Sequence, residues 1–127
     1  MIFGIGTDIV RVARMQQSLD KHGERFARRI LTEHELIGYQ HANKPANYLA
    51  KRFAAKEATA KAMGTGFRDG LLLKHINVGH DAQGKPLLEF SGLAADFMAE
   101  KGIMEAHISL ADEQEYAVAF VTLIKES

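Results

Sequence analysis

The chain has 127 residues, 46% of them apolar, with 7 Phe and 3 Tyr, so one domain with a core of ordinary size is expected over 1–127. Cysteine is absent, which excludes a disulfide framework, a thiol nucleophile and a thiolate-held metal. The total of 16 Lys/Arg matches 16 Asp/Glu, yet residues 1–68 carry 12 of the bases and 6 of the acids, so this half attracts an anionic partner unless folding mixes the charges.

Met1 to Gly6 is short and apolar, with glycines at 4 and 6, and reads as a strand approached closely by another backbone or a ligand. A helical pattern follows Asp8: Val12, Met15, Leu19, Phe26 and Ile30 recur near the helical period, and Gly23 divides them into two helices. Thr32 and Glu35 form a capping box that starts a helix from Glu33 to about Ala42. Pro45 opens the longest helical signal, Ala46 to about Met63, which Gly64 and Gly66 end. His75 to Asp81 and Lys85 to Phe90 read as strands joined by a D-A-Q-G turn. Gly92 to about Lys101 is expected as a helix with Leu93, Phe97 and Met98 inward. Glu105 to Leu110 and Tyr116 to Ile124 close the chain as strands, the last apolar on both faces and hence central. Hairpin connections imply antiparallel pairing, so the class is α+β, an antiparallel sheet packed with helices. No apolar run approaches the ~18 residues of a membrane span. The start MIFGIGTDIV lacks the features of a signal peptide, so a cytoplasmic location is expected.

Several residues could carry chemistry. Asp8, where strand gives way to helix, reads either as an N-cap or as a metal ligand at the mouth of the sheet. Phe53, Glu57 and Lys61 share one face of the long helix. Glu57 and Lys61 form either a solvated pair or a partly buried functional one, beside the apolar Leu49 and Phe53. Arg52, Lys56 and Lys61, with Gly64-Thr65-Gly66, could hold phosphates through side chains and backbone N–H groups, or the glycines could simply cap the helix. His107 alternates with Ser109 on one strand face and reads as structural or functional. His22, His34 and His41 read as helix-surface residues, and His75 and His80 make no metal-ligand spacing. Arg11, Arg14, Ser18, Lys21, Arg25 and Arg28 step by 3 or 4 to form a cationic row, with Arg29 beside it. Such a row suits nucleic acid, anionic lipid, an acidic protein or plain solvent; neutral total charge and the lack of a binding motif argue against nucleic acid.

Taken together, G-I-G-T-D-I-V at 4–10, F-A-R-R-I-L-T at 26–32, K-R-F-A-A-K-E-A at 51–58 and K-A-M-G-T-G at 61–66 resemble the holo-[acyl-carrier-protein] synthases of the 4′-phosphopantetheinyl transferase superfamily. Gly84-Lys85-Pro86, H-I-S-L-A-D-E at 107–113 and Tyr116-Ala117-Val118-Ala119 continue the match in order. The resemblance implies transfer of 4′-phosphopantetheine from coenzyme A to a serine of apo-acyl carrier protein, with release of adenosine 3′,5′-bisphosphate. It implies Mg²⁺ as cofactor, held by Asp8 and Glu57, and a cytoplasmic homotrimer with sites at subunit interfaces, acting in fatty acid biosynthesis. Coenzyme A contacts are implied for Arg52, Lys61, Gly64, Thr65, Gly66 and His107, and carrier-protein contacts for Arg14, Arg25, Phe26 and Arg29. Glu57 and Lys61 would be catalytic: Lys61 would neutralise the departing phosphate, and the base would be Glu57 itself or a water relay. Neither nucleic acid nor membrane is an expected partner. The chain departs from the family pattern at Arg11, where an acid is common, and at Ala111-Asp112, where a second histidine is common. A phosphate-ligand-binding module and an interaction protein using the basic helices alone are the non-enzymatic readings.

Overall fold

Two glycines near the start of the chain decide how the main helix meets the main sheet. In this computed structural model, which describes residues 1–126, strand β1 (Ile2–Arg11) lies directly on helix α4 (Pro45–Met63). A Cβ on Gly4 would collide with the Ala62 carbonyl oxygen, and one on Gly6 with that of Ala58. Only glycine allows so close a backbone approach. The helix answers with small side chains of its own: Ala54, Ala55, Ala58 and Ala62 are all buried.

Strand β1 pairs antiparallel with β5 (Tyr116–Lys125), which pairs on its other side with β4 (Ile103–Asp112). The last strand is therefore central, as its apolar composition implies. Ala117, Ala119, Val121 and Leu123 point at the helices and are buried, whereas Val118 and Phe120 lie on the opposite, outer face and are exposed. A second, separate sheet pairs β2 (Ile76–His80) with β3 (Pro86–Phe90), entered through a 3₁₀ turn at Leu73–His75. The α+β class holds, with two antiparallel sheets rather than one.

Helices α1 (Val12–His22) and α2 (Glu24–Ile30) are split at Gly23, whose φ of 65° belongs to glycine. Helix α3 (Glu33–Gln40) begins on the expected capping box. Helix α5 (Gly92–Lys101) buries Ala94 and Met98 and half-buries Phe97; Leu93, expected inward, is exposed. The first strand is longer than its sequence suggests, because pairing with β5 continues through Asp8↔Ala119 to Arg11↔Tyr116. Asp8 therefore sits within a strand, and Arg11 occupies the N-cap position of α1 without a side-chain cap bond. The N-cap reading of Asp8 is thereby corrected. No helix among the described residues is long and apolar enough to cross a membrane.

Candidate active site

Strand alternation turns Gly4, Gly6, Asp8 and Val10 toward α4. The glycines let the strand approach, and Asp8 is carried to the helix face that bears Glu57 and Lys61, one turn apart. Lys61 Nζ lies 3.0 Å from Asp8 Oδ1 and donates a second bond of 3.0 Å to the Thr7 carbonyl. The ammonium thus pairs across to the strand, and the helix-surface Glu57–Lys61 pair gives way to this contact. The Glu57 carboxyl is partly buried. Its pKa is raised, chiefly by burial and then by the neighbouring Asp8 charge, while Lys61 and Arg14 oppose the rise. Two carboxylates from different elements thus share one electrostatic environment. Among the described residues no cluster of three or more His, Asp or Glu is arranged to hold a metal, so the protein offers two carboxylates at this point.

The remaining cations of α4 do not join them. Lys56 is fully buried, bonded to Glu35 Oε1 at 2.7 Å and to the carbonyls of Ile76 at 2.6 Å and Leu73 at 3.1 Å. It is a structural residue with no phosphate-binding capacity left, which corrects its place in the expected trio. Arg52 precedes Lys61 by nine residues, half a turn around the helix and about 14 Å along it. Its guanidinium is buried, stacked 3.7 Å from the Tyr48 ring, and its Nε has no hydrogen-bond partner. Burial lowers the Arg52 pKa, which Tyr48 and Glu35 counter. The guanidinium lines a cavity of about 400 Å³ together with Tyr48, His34 and His80.

The Gly64-Thr65-Gly66 turn caps α4. The N–H groups of all three residues point at the Ala60 carbonyl, 3.1, 3.2 and 3.4 Å away. The backbone donors imagined for phosphate are therefore engaged, and what the turn exposes is close, Cβ-free access at Gly64 and Gly66. His107 lies on the outer face of the three-stranded sheet, 2.9 Å from Glu105, with the sheet between it and Asp8. One chain thus brings Asp8, Glu57 and Lys61 together and leaves Arg52 and His107 on other surfaces.

The cationic row is exposed throughout: Arg11, Arg14, Lys21, Arg25, Arg28 and Arg29 all face solvent. Arg28 is occupied by Glu24 at 3.1 Å, whereas Phe26 is partly buried against the core. Arg14 acts electrostatically on Glu57, so the basic surface begins at the edge of the carboxylate site. The buried Glu35–Lys56 pair and the buried setting of Arg52 are the features sequence reasoning missed. The capping box marked Glu35, but nothing local marked the partner 21 residues on.

The sequence profile of the 4′-phosphopantetheinyl transferase superfamily matches residues 4–121. The holo-[acyl-carrier-protein] synthase of Halorhodospira halophila is 54% identical over 124 residues, 98% of each chain. The chain belongs to the holo-[acyl-carrier-protein] synthase family of that superfamily. It is accordingly an enzyme of the phosphopantetheinyl transferase type. A crystal structure of the family member from Neisseria meningitidis superposes with a TM-score of 0.93 at 48% identity, covering 98% of this chain and 100% of that one. The Bacillus anthracis member, solved in complex with CoA (3′,5′-ADP), matches at a TM-score of 0.81 and 37% identity over 100% of this chain and 99% of that one.

Proposed function

We propose that this enzyme transfers 4′-phosphopantetheine from coenzyme A to a serine hydroxyl of apo-acyl carrier protein, with Mg²⁺ held by Asp8 and Glu57 and adenosine 3′,5′-bisphosphate released. The reading is carried by the convergence of Asp8, Glu57 and Lys61, two carboxylates that supply hard oxygen donors and one solvent-exposed cation. Such a donor set fits Mg²⁺, which takes one or two carboxylates and completes its shell with waters and substrate phosphates. The ion, when bound, supplies charge neutralisation on the pyrophosphate. The chain's own contribution is positioning. Asp8 and Glu57 fix where the pyrophosphate lies, Lys61 is within a side chain's reach of it, and the basic face delivers the acidic carrier protein. The serine oxygen bonds to the phosphorus bearing pantetheine as its proton passes to Glu57 or through a water, and the bond from that phosphorus to the bridging oxygen breaks as the bisphosphate leaves.

Within one chain Arg52 sits half a turn around α4 from Lys61, and His107 sits on the opposite face of the sheet from Asp8, an arrangement that supports a site built from more than one copy. The outer sheet face also supports assembly. Ile5, Ile9 and Phe120 stay 57%, 63% and 45% exposed on one surface, an apolar patch that a homotrimer would cover. The trimer, the place in fatty acid biosynthesis and a cytoplasmic setting complete the proposal. Incubation with apo-carrier protein, coenzyme A and Mg²⁺ tests it by mass: the carrier gains about 340 Da, the formula mass of the arm. An unchanged carrier mass under these conditions rejects the transferase assignment.

A further inference from the structure

Lys61 holds the oxygen that the metal reading needs. Its ammonium bridges Asp8 Oδ1 and the Thr7 carbonyl, both at 3.0 Å, and so fills the mouth of the strand with one positive charge. The lysine side chain is 54% exposed and the Asp8 side chain 16%, so the carboxylate is anchored while the lysine stem is free to swing. Among the described residues nothing else bonds the ammonium. Its position one turn beyond Glu57 keeps it within reach of any phosphate lying over the two carboxylates.

Resting on the proposed Mg²⁺ site, we infer that Lys61 is a resident counter-ion that competes with the divalent cation for Asp8 and moves onto substrate phosphate when displaced. Lys61 must leave Asp8 before a second cation can use that oxygen. Two costs then fall on metal binding without substrate: a broken ion pair, and an ammonium left beside a divalent charge. Substrate phosphates remove both, because they accept the displaced ammonium. Metal and coenzyme A therefore bind with positive coupling, and Lys61 carries that coupling.

The test is metal binding, read without turnover. Mn²⁺ affinity is measured by electron paramagnetic resonance in the absence of coenzyme A, for the wild type, Lys61→Met and Arg14→Gln. Arg14 is the control, because it is a nearby charge that does not touch Asp8. Lys61→Met is expected to bind Mn²⁺ roughly two- to fivefold more tightly than the wild type, the range of a partly exposed ion pair. Arg14→Gln should gain less. In the wild type, the Lys61 ¹³Cε resonance, assigned by its loss in Lys61→Met, should shift in step with Mg²⁺ occupancy. Adding 3′,5′-ADP should tighten Mn²⁺ in the wild type more than in Lys61→Met. Equal or weaker Mn²⁺ binding by Lys61→Met, a gain no larger than that of Arg14→Gln, or an unmoved Lys61 resonance overturns the competition while leaving the metal site standing. Wild type and Asp8→Asn that bind Mn²⁺ alike overturn the metal reading and this inference with it.

Discussion

Lys56 Nζ lies 2.7 Å from Glu35 Oε1 with both side chains fully buried. This pair joins four parts of the chain. Glu35 Oε1 also accepts from the Thr32 N–H and its Oε2 from the Val78 N–H, while Lys56 donates to carbonyls at the entrance and first residue of β2. Every donor and acceptor is used, which is what makes a buried ion pair tolerable. Lys56 and Glu57 are adjacent in sequence yet face inward and outward, so the clasp also fixes the rotation at which α4 presents Glu57. Lys56→Met leaves the buried Glu35 carboxyl its two backbone N–H donors but no cationic partner. It is expected to lower unfolding free energy by about 3–5 kcal/mol in urea titrations. The double variant Lys56→Met/Glu35→Leu should recover much of that loss, and no recovery would mean that the pair stabilises in its own right.

Gly6 has a different kind of constraint. A methyl group there meets the Ala58 carbonyl and the Ala62 amide of α4, and neither can yield without moving the helix. Gly6→Ala should therefore separate β1 from α4 and pull Asp8 away from Glu57. The expected result is a loss of stability of about 1–3 kcal/mol. Alongside it, a rise in the Mg²⁺ concentration needed for half-maximal turnover should appear at temperatures where the variant is folded. Gly23→Ala, in open space with φ of 65°, should cost stability without touching the metal requirement.

Much of this arrangement was readable from local chemistry. The capping box at Thr32, the glycine stops at Gly23 and Gly64, and the apolar final strand each have a mechanism that acts within a few residues, and each is where the sequence places it. What escaped depends on distant partners. The first strand runs on past Gly6 because β5 pairs with it, more than a hundred residues later. Lys56 looks like one cation among three on a helix, and only the tertiary fold decides that it is buried while Lys61 is not. Asp8 and Glu57 could be named from family motifs, but their shared electrostatics needed Gly4 and Gly6 to close the gap.

Glu57 offers a stability test of its role. Its folded pKa is raised above the unfolded one, by burial first and Asp8 second, so ionising it costs more in the native chain. That penalty is absent below the unfolded pKa and grows as pH rises through the folded one. Glu57→Gln should match the wild type near pH 3.5 and exceed it at pH 7, by no more than about 1 kcal/mol because the carboxyl is partly solvated. If the proposed site holds the ion, Mg²⁺ should reverse the order by stabilising the wild type and not the variant. The same substitution should abolish transfer and its Mg²⁺ dependence. Thermal melts at the two pH values, with and without Mg²⁺, check this; a variant less stable than the wild type at pH 7 without metal removes the like-charge argument.

The separation of Arg52 from Asp8 can be tested by mixing subunits. Asp8→Asn and Arg52→Met should each be nearly inactive alone. If the site draws on two copies, unfolding and refolding them together should restore a measurable part of wild-type turnover, since some interfaces combine an intact Asp8 with an intact Arg52. Phe120→Glu, placed on the exposed outer face, should dissociate the proposed homotrimer in sedimentation and abolish the complementation. Mixed preparations no more active than their components would return the whole site to one chain.

The basic face makes a kinetic claim rather than a structural one. Arg14, Arg25 and Arg29 are exposed and unpaired by any salt bridge among the described residues, so their field acts at a distance through solvent. Exposed charges raise encounter rates with an oppositely charged protein and lose that effect as salt shortens the screening length to about 8 Å at physiological strength. Raising NaCl from 20 to 200 mM, roughly a threefold change in screening length, should raise KM for carrier protein much more than KM for coenzyme A. On the proposed site the coenzyme would be held at short range, beside Asp8, Glu57 and the buried Arg52, where screening is weaker. Arg14→Gln/Arg25→Gln should flatten the carrier-protein salt dependence while leaving KM for coenzyme A within about twofold. Equal salt effects on both substrates in the wild type would separate the cationic row from carrier-protein capture.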